Sequence, residues 1–412
     1  MPKDTLLVGL DIGTSKIAIA VAALSEETLH IIGLSSISHS GLRKGVITDV
    51  EETVSAISHA LEDAERMAGT NITHAFIATS GAQIESVPAK GVVAISKPNG
   101  VIDHSDVQRV IDAAKTATLP QNRELIHLFP LRFLVDGQDV NHEPVGMSGI
   151  RLETDSLIIS TSAIAVRNLQ KAVYQAGLEI DGLVFGPIAA AKVITTKKQR
   201  ESGVAVVDFG AGSTDMAIYA EGQLIHAASI PIGSMHITND IAIGLRTNLD
   251  VAETIKGRYG TAMLDSVRET EMINLSTIDP AESDKVSRKQ VAEIIEARIS
   301  EIFNLIKEEL QASGTDGLLP AGLIFTGGGS DLEGITELAR KELRLPATIG
   351  YPTTSFSGMV DKIDNPIYAT SIGLVLWALE NSGGQAGSWG LDFGKLGGVF
   401  DRFRGIFKSF TN

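Results

Sequence analysis

Cysteine is absent from all 412 residues, which excludes disulfides and thiolate metal sites and fits a reducing compartment. Positive charge is scarce: 35 Lys and Arg against 50 Asp and Glu leave a net charge of −15. Nucleic acid phosphates would repel such a chain, so no nucleic-acid partner is expected, and the body should avoid anionic lipid unless a local segment overrides it. Nowhere do about 18 apolar residues follow one another, the minimum for a spanning helix. The longest apolar stretch, near Ile367 to Leu379, is interrupted by polar residues. Met1 to Leu10 runs into an apolar strand without a basic start and long apolar stretch, so no signal peptide is expected. The nine histidines show no metal-ligand spacing. The P-loop pattern Gly-x-x-x-x-Gly-Lys-Ser/Thr is missing. Gly210-Ala-Gly212 and Gly327-Gly-Gly329 both lack the third glycine of a dinucleotide fingerprint.

What is present is a repetition. Leu6 to Val21 and Val204 to Tyr219, with their aspartates 197 residues apart, each run an apolar strand into Asp-x-Gly with hydroxyl and glycine neighbours, then return as strand. The turns read Asp11-Ile-Gly13-Thr14-Ser15-Lys16 and Asp208-Phe-Gly210-Ala-Gly212-Ser213-Thr214-Asp215. One such hairpin is explained by a plain tight turn; two point to a pair of anion nests of amides and hydroxyls. Facing each other, they could clamp a polyphosphate. Their aspartates suit a hydrated divalent metal bridging phosphate oxygens better than bare phosphate.

The coarse order of elements is alternating, as in an α/β protein with mostly buried sheets. Thr28 to Ser38 reads as a third strand, Val50 to Met67 as an amphipathic helix and His74 to Thr79 as a buried strand; Gln223 to Ile230 is the third strand of the second copy. From Gln83 to Ser162 short strands (Gly91 to Ser96, Glu124 to Val135) surround one helix, a small α+β insertion in the first half. A second insertion spans Met235 to Leu318 and contains a long helix, Val286 to Leu310.

Two further constellations fit a nucleotide cleft. Leu323 to Thr326 followed by Gly327-Gly328-Gly329-Ser330-Asp331 reads as strand, glycine turn and helix start, with Ser330 or Asp331 as cap. Glu253 and Lys256 lie three apart on one helix face; an intrahelical ion pair explains that spacing, and only its company makes the pair a candidate for gripping ribose or adenine.

After Asn381 to Ser388, a linker by composition, residues 389–412 begin at Trp389 and form an amphipathic pattern. Leu396, Val399, Phe400, Phe403, Ile406, Phe407 and Phe410 fall within about 120° of helical arc, and Arg402 and Arg404 flank it. At about 22 Å the segment is too short to span a bilayer core of roughly 30 Å. It reads as an interfacial helix on anionic lipid; docking on the protein's own core or on a partner groove is the other reading. Burying seven apolar side chains gains at most on the order of 10–20 kcal/mol, against roughly 1 kcal/mol for each of about 15 ordered residues. A single tail therefore binds reversibly, and self-association would make binding firm.

The two hairpins, Gly186-Pro187-Ile-Ala-Ala-Ala-Lys192, Ala-Glu253-x-x-Lys256, the Gly-Gly-Gly-Ser turn and Tyr368-Ala-Thr-Ser-Ile-Gly-Leu together resemble the actin, Hsp70 and sugar kinase superfamily. His127-Leu-Phe-Pro130, Asn141 to Ser148 and the leash with its tail are similar specifically to the bacterial FtsA division family. The resemblance implies a two-lobed actin-like ATPase fold from duplicated halves: subdomain 1A (1–83, 163–200, 366–380), inserted 1C (84–162), 2A (201–234, 319–365) and 2B (235–318), then linker 381–388 and helix 389–412. It implies an ATP- and Mg2+-binding polymer former that tethers FtsZ through its C-terminal tail to the inner membrane at the septum and recruits later septal proteins. Asp11, Gly13, Thr14, Ser15 and Lys16 would form one phosphate loop, and Asp208, Gly210, Gly212, Ser213 and Thr214 the other. Asp11 and Asp208 would hold the metal through water. Glu253 and Lys256 would face the nucleoside, Gly327, Gly328, Gly329 and Ser330 would close the pocket, and Arg288, Arg298 and Glu301 would meet FtsZ. Hydrolysing relatives carry a carboxylate before the proline of Gly186-Pro187; glycine there implies slow or undetectable hydrolysis. The alternatives are a PilM-like pilus-assembly protein, which lacks such a tail, and a superfamily kinase or phosphohydrolase.

Overall fold

The computed structural model describes residues 5–25, 28–97, 99–140, 143–282, 284–352, 356–359 and 363–381. Residues 389–412, with every candidate membrane residue, lie outside this set, as do residues 141–142 of the Asn141 to Ser148 segment.

Two sheets repeat one topology. In the first, Thr5–Ile12 and Lys16–Ser25 form an antiparallel hairpin, Thr28–Ser38 adds to the second strand, and His74–Thr79 lies parallel to the first. In the second, Val204–Phe209, Thr214–Ala220 and Gln223–Ile230 form the same meander, and Leu323–Thr326 takes the parallel place. The hairpin strands are buried almost end to end, which is why they are continuous apolar runs and not alternating ones.

Local chemistry sets the helix limits. Asp49 caps Val50–Ala68 by accepting from the Glu52 amide, and Gly69 ends it in the left-handed region with its amide on the Glu65 carbonyl. The insertion is a four-stranded antiparallel sheet, ordered Glu85–Ala94, Arg151–Ser162, Arg123–Val135, Gln138–Val140. The helix His104–Thr118 packs on it, opened by a capping box between Asp103 and Asp106. Its first strand begins six residues before the expected Gly91, because Glu85–Ala94 alternates exposed and buried positions without an apolar run. In the second half, Val286 lies in a short strand, Lys285–Ser287, and the long helix runs Arg288–Ala312 with Ser287 as cap.

The halves are welded by apolar packing. Ala20 and Ile31 of the first sheet and Val206 and Ala217 of the second belong to one cluster with Phe185, Ile188, Ala369 and Ile372. Full burial of each large aliphatic or aromatic side chain contributes about 1.5–3 kcal/mol. The helices Gly186–Ile194 and Ala369–Asn381 pass between the sheets and hold their hairpin ends together.

Candidate functional site

The two hairpin turns are superposable in their bonding. In the first, Ile12 pairs with Ile17 and the Gly13 amide donates to the Lys16 carbonyl at 3.0 Å. In the second, Phe209 pairs with Thr214 and the Gly210 amide donates to the Ser213 carbonyl at 3.0 Å. The turns meet tip to tip. A β-carbon at Gly212 would lie 2.4 Å from Thr14 Oγ1, so the approach needs glycine.

Charge gathers behind the tips. Asp11 and Asp208, both half-buried, end equivalent strands, and Lys16 lies close enough to influence both. Burial pushes the Asp11 carboxyl up to about 7, the Asp208 charge adds to the rise, and Lys16 opposes it. Burial also raises Asp208, against the pull of Lys16 and a hydrogen bond from Thr370 Oγ1 at 3.2 Å. Lys16 is lowered by desolvation while Asp11, Asp208 and Asp331 hold its charge. One ammonium thus stands among several carboxylates, a surplus of negative charge that a cation would relieve. The donors are hard oxygens, as magnesium requires. Among the described residues no group of three or more His, Asp or Glu side chains could ligate a metal directly. Magnesium keeps several of its waters and takes only one or two carboxylates, a number that Asp11 and Asp208 supply.

The third wall is the glycine turn. Gly327 has φ +82°, and a β-carbon there would meet Asp208 Oδ1 at 2.3 Å. Gly328 lies beside Lys16 Nζ. The expected helix start is displaced: Gly328–Asp331 form a single 3-10 turn, and the α-helix begins at Ile335. Ser330 caps nothing; its hydroxyl donates to the Gly327 carbonyl at 2.7 Å, and Asp331 stays near Lys16. This turn needs the left-handed Gly327 to clear Asp208, so the helix cannot begin until the chain has rounded it.

Glu253 and Lys256 form the plain ion pair their spacing allows, at 2.7 Å. They are also tied to the hairpin side. Lys256 Nζ donates to Thr238 Oγ1 at 2.9 Å and to the Ser234 carbonyl at 3.3 Å, while the Ser234 amide donates to the Gly210 carbonyl at 2.9 Å. Arg288, Arg298 and Glu301 sit apart from the cleft on Arg288–Ala312. Arg298 makes two hydrogen bonds to Asp240, at 2.6 and 3.0 Å, and a third to Glu301; Arg288 bonds Glu271 and the Tyr259 carbonyl.

Several residues at the cleft were not candidates. Asp215, Gly81, Lys44 and Thr370 arrive through tertiary contact. Asp215 carried one readable signal: it pairs across its hairpin with Asp208, where the first copy pairs Asp11 with Ala18.

Residues 205–373 match the family described as Cell division protein FtsA, and residues 81–160 match the SHS2 domain inserted in FTSA. The chain is 38% identical over 376 residues to Cell division protein FtsA of Pseudomonas aeruginosa, covering 91% of this chain and 89% of that one. The chain belongs to the FtsA family. Cell division protein FtsA of Bacillus subtilis is 36% identical over 383 residues (93% and 85% covered), and that of Escherichia coli K12 is 33% identical over 384 (91% of each). Among solved structures, the PilM-PilN type IV pilus biogenesis complex aligns with TM-score 0.69 at 17% identity, covering 92% and 99% of the two chains. MreB 5 of Spiroplasma citri bound to AMPPNP aligns at 0.55 and 15% (93% and 98%), and the MamK double helical filament at 0.54 and 14% (91% and 98%). This FtsA-family chain has the actin-like fold, carries an SHS2 insertion and serves cell division.

Proposed function

We propose that this chain binds ATP with Mg2+ between its two hairpins, assembles into an actin-like polymer, and ties FtsZ filaments to the cytoplasmic face of the inner membrane through residues 389–412. The observation that carries the nucleotide reading is the tip-to-tip meeting of the hairpins with Asp11, Asp208 and Lys16 behind them. MreB 5 of Spiroplasma citri, of the same fold, is named as bound to AMPPNP, and MamK as a double helical filament; both support this reading.

In it, the two turns, Gly13, Thr14 and Ser15 facing Gly210, Gly212, Ser213 and Thr214, receive phosphate oxygens on those amides and hydroxyls that the hairpins do not use themselves, and Lys16 neutralises them. Asp11 and Asp208 would hold the hydrated metal. Gly327, Gly328, Gly329 and Ser330 present bare backbone to the nucleoside, with Glu253 and Lys256 flanking it. A bound magnesium ion supplies the positive charge that lets carboxylates and phosphates share the cleft. A side chain at Gly186 would point toward Asp208 Oδ2, 3.7 Å from its β-carbon. Glycine leaves that place without a carboxylate to orient water, so hydrolysis is slow or undetectable and nucleotide acts as a conformational cofactor. The FtsZ tail engages the helix Arg288–Ala312 near Arg288, Arg298 and Glu301, and later septal proteins join the assembled polymer.

Co-pelleting with anionic liposomes, with and without ATP, tests the whole. The full chain should pellet and form a lattice on a lipid monolayer. Removing residues 389–412, or Phe403→Glu with Phe407→Glu, should abolish both while leaving ATP affinity intact. Equal pelleting of the truncated form would sink the anchor assignment. Turnover of ATP at rates typical of Hsp70 chaperones would sink the cofactor assignment.

A further inference from the structure

Asp215 is a buried carboxylate, 3% exposed, that the phosphate and metal roles above leave unused. Its Oδ1 accepts the backbone N–H of Gly81 at 3.0 Å, a buried bond between residues 134 apart that joins the second hairpin to the first half of the chain. Its Oδ2 accepts the Ser213 hydroxyl at 2.7 Å, which fixes the carboxylate's direction. On the far side Gly81 is part of a hydrogen-bonded block. The Ala82 amide donates to the Lys44 carbonyl at 3.1 Å, Gln83 Nε2 to the Gly45 carbonyl at 3.1 Å, and the Gly45 amide to Thr14 Oγ1 at 3.0 Å. Thr14 is the residue that abuts Gly212. Asp215, Gly81, the Lys44-Gly45 turn, Thr14 and Gly212 therefore close a ring around the seam between the hairpins, and the Asp215–Gly81 bond is its charge-assisted hydrogen-bonded crossing. The duplication supplies the contrast. Ala18 takes the same register place in the first hairpin, so the carboxylate is not needed to build the turn.

We infer that Asp215 is an interlobe latch: its bond to the Gly81 amide holds the two hairpins shut and sets the rate at which the cleft opens to exchange nucleotide. The exchange part rests on the nucleotide reading above; the latch itself does not. Asp215→Ala copies the residue that the first hairpin already folds with, and Asp215→Asn keeps an oxygen for Gly81.

Two measurements on the full chain decide it. In nucleotide-free protein, hydrogen exchange over residues 80–82 should lose protection in Asp215→Ala and keep it in Asp215→Asn; unchanged protection in Asp215→Ala overturns the latch whatever the ligand. With a fluorescent N-methylanthraniloyl ATP and Mg2+, Asp215→Ala should raise association and dissociation rates together by on the order of tenfold, equivalent to about 1.4 kcal/mol. Asp215→Asn should stay near the parent rates. A rise in dissociation alone, with weakened affinity, would make Asp215 a ligand and not a latch. Failure of the parent chain to bind the analogue removes the nucleotide reading and leaves the hydrogen-exchange result to judge the latch.

Discussion

Gly212→Ala is the sharpest probe of the facing hairpins. The new β-carbon would stand 2.4 Å from Thr14 Oγ1, 2.9 Å from Thr14 Cγ2 and 3.0 Å from the Lys44 α-carbon. Comfortable carbon contacts begin near 3.5 Å, so the overlap is about 1 Å. All three atoms belong to the opposite half, so each hairpin can keep its own bonds only if the halves part. Overpacking of this kind costs about 1–3 kcal/mol. Thr14→Ala alone loses the Gly45 hydrogen bond, about 1 kcal/mol. The double variant removes two of the three clashing atoms, so its destabilisation should fall short of the sum of the singles by about 1 kcal/mol or more. Urea unfolding of the four proteins measures the cycle. Additivity within about 0.5 kcal/mol would mean that the tips do not touch, and the cleft geometry would be refuted.

His127 should add an acid-sensitive contribution to stability. It is buried in the insertion, its Nε2 accepts the Phe185 amide at 3.0 Å, and desolvation lowers its pKa from 6.5 to about 3. Between those values the unfolded chain takes up a proton that the folded chain refuses, so the His127 contribution to stability falls as pH drops below 6.5, by up to about 1.4 kcal/mol per unit, opposite in sign to the raised Asp11 carboxyl, which favours the folded state as pH falls below about 7. His127→Gln should remove that contribution, shifting the pH dependence of unfolding between pH 7 and 5 toward stabilisation by acid relative to the parent; the same dependence in both proteins would contradict the assignment. Gly327→Ala should destabilise by at least about 2 kcal/mol, since it meets both a positive φ and Asp208, and normal thermal stability would count against the turn described. Arg298→Ala should cost about 1 kcal/mol or less, because its ion pairs are partly exposed. If FtsZ tail peptide binds that variant as tightly as the parent in a titration, Arg298 is no part of the partner surface.

Much of the architecture was legible because turns punctuate it. Thr28–Ser38, His74–Thr79 and Gln223–Ile230 occupy the spans read from apolar strands bounded by polar residues or glycine. Where the pattern is weaker the reading slipped. Val286 continues the helical apolar spacing yet pairs with Ile273 in a strand, because a cap at Ser287 outranks periodicity. The candidate cleft was legible through repetition alone, since each Asp-x-Gly turn is unremarkable by itself. Its partners Gly81, Lys44 and Thr370 were not, because nothing local marks a residue whose role is to be reached from more than a hundred positions away. Asp215 lay between: the unequal pairing of Asp208 with Asp215 and Asp11 with Ala18 was visible, but its meaning needed Gly81.

The helix Ala369–Asn381 begins with Thr370 on Asp208 and is buried against the first sheet along most of its length. Thirteen residues carry it about 20 Å away from the charged cleft. Any cargo attached beyond Asn381 is therefore moored to one half of the molecule. In a row of such subunits the roll of that half decides which side the moorings face, and a twist between neighbours would wind them away from a flat support.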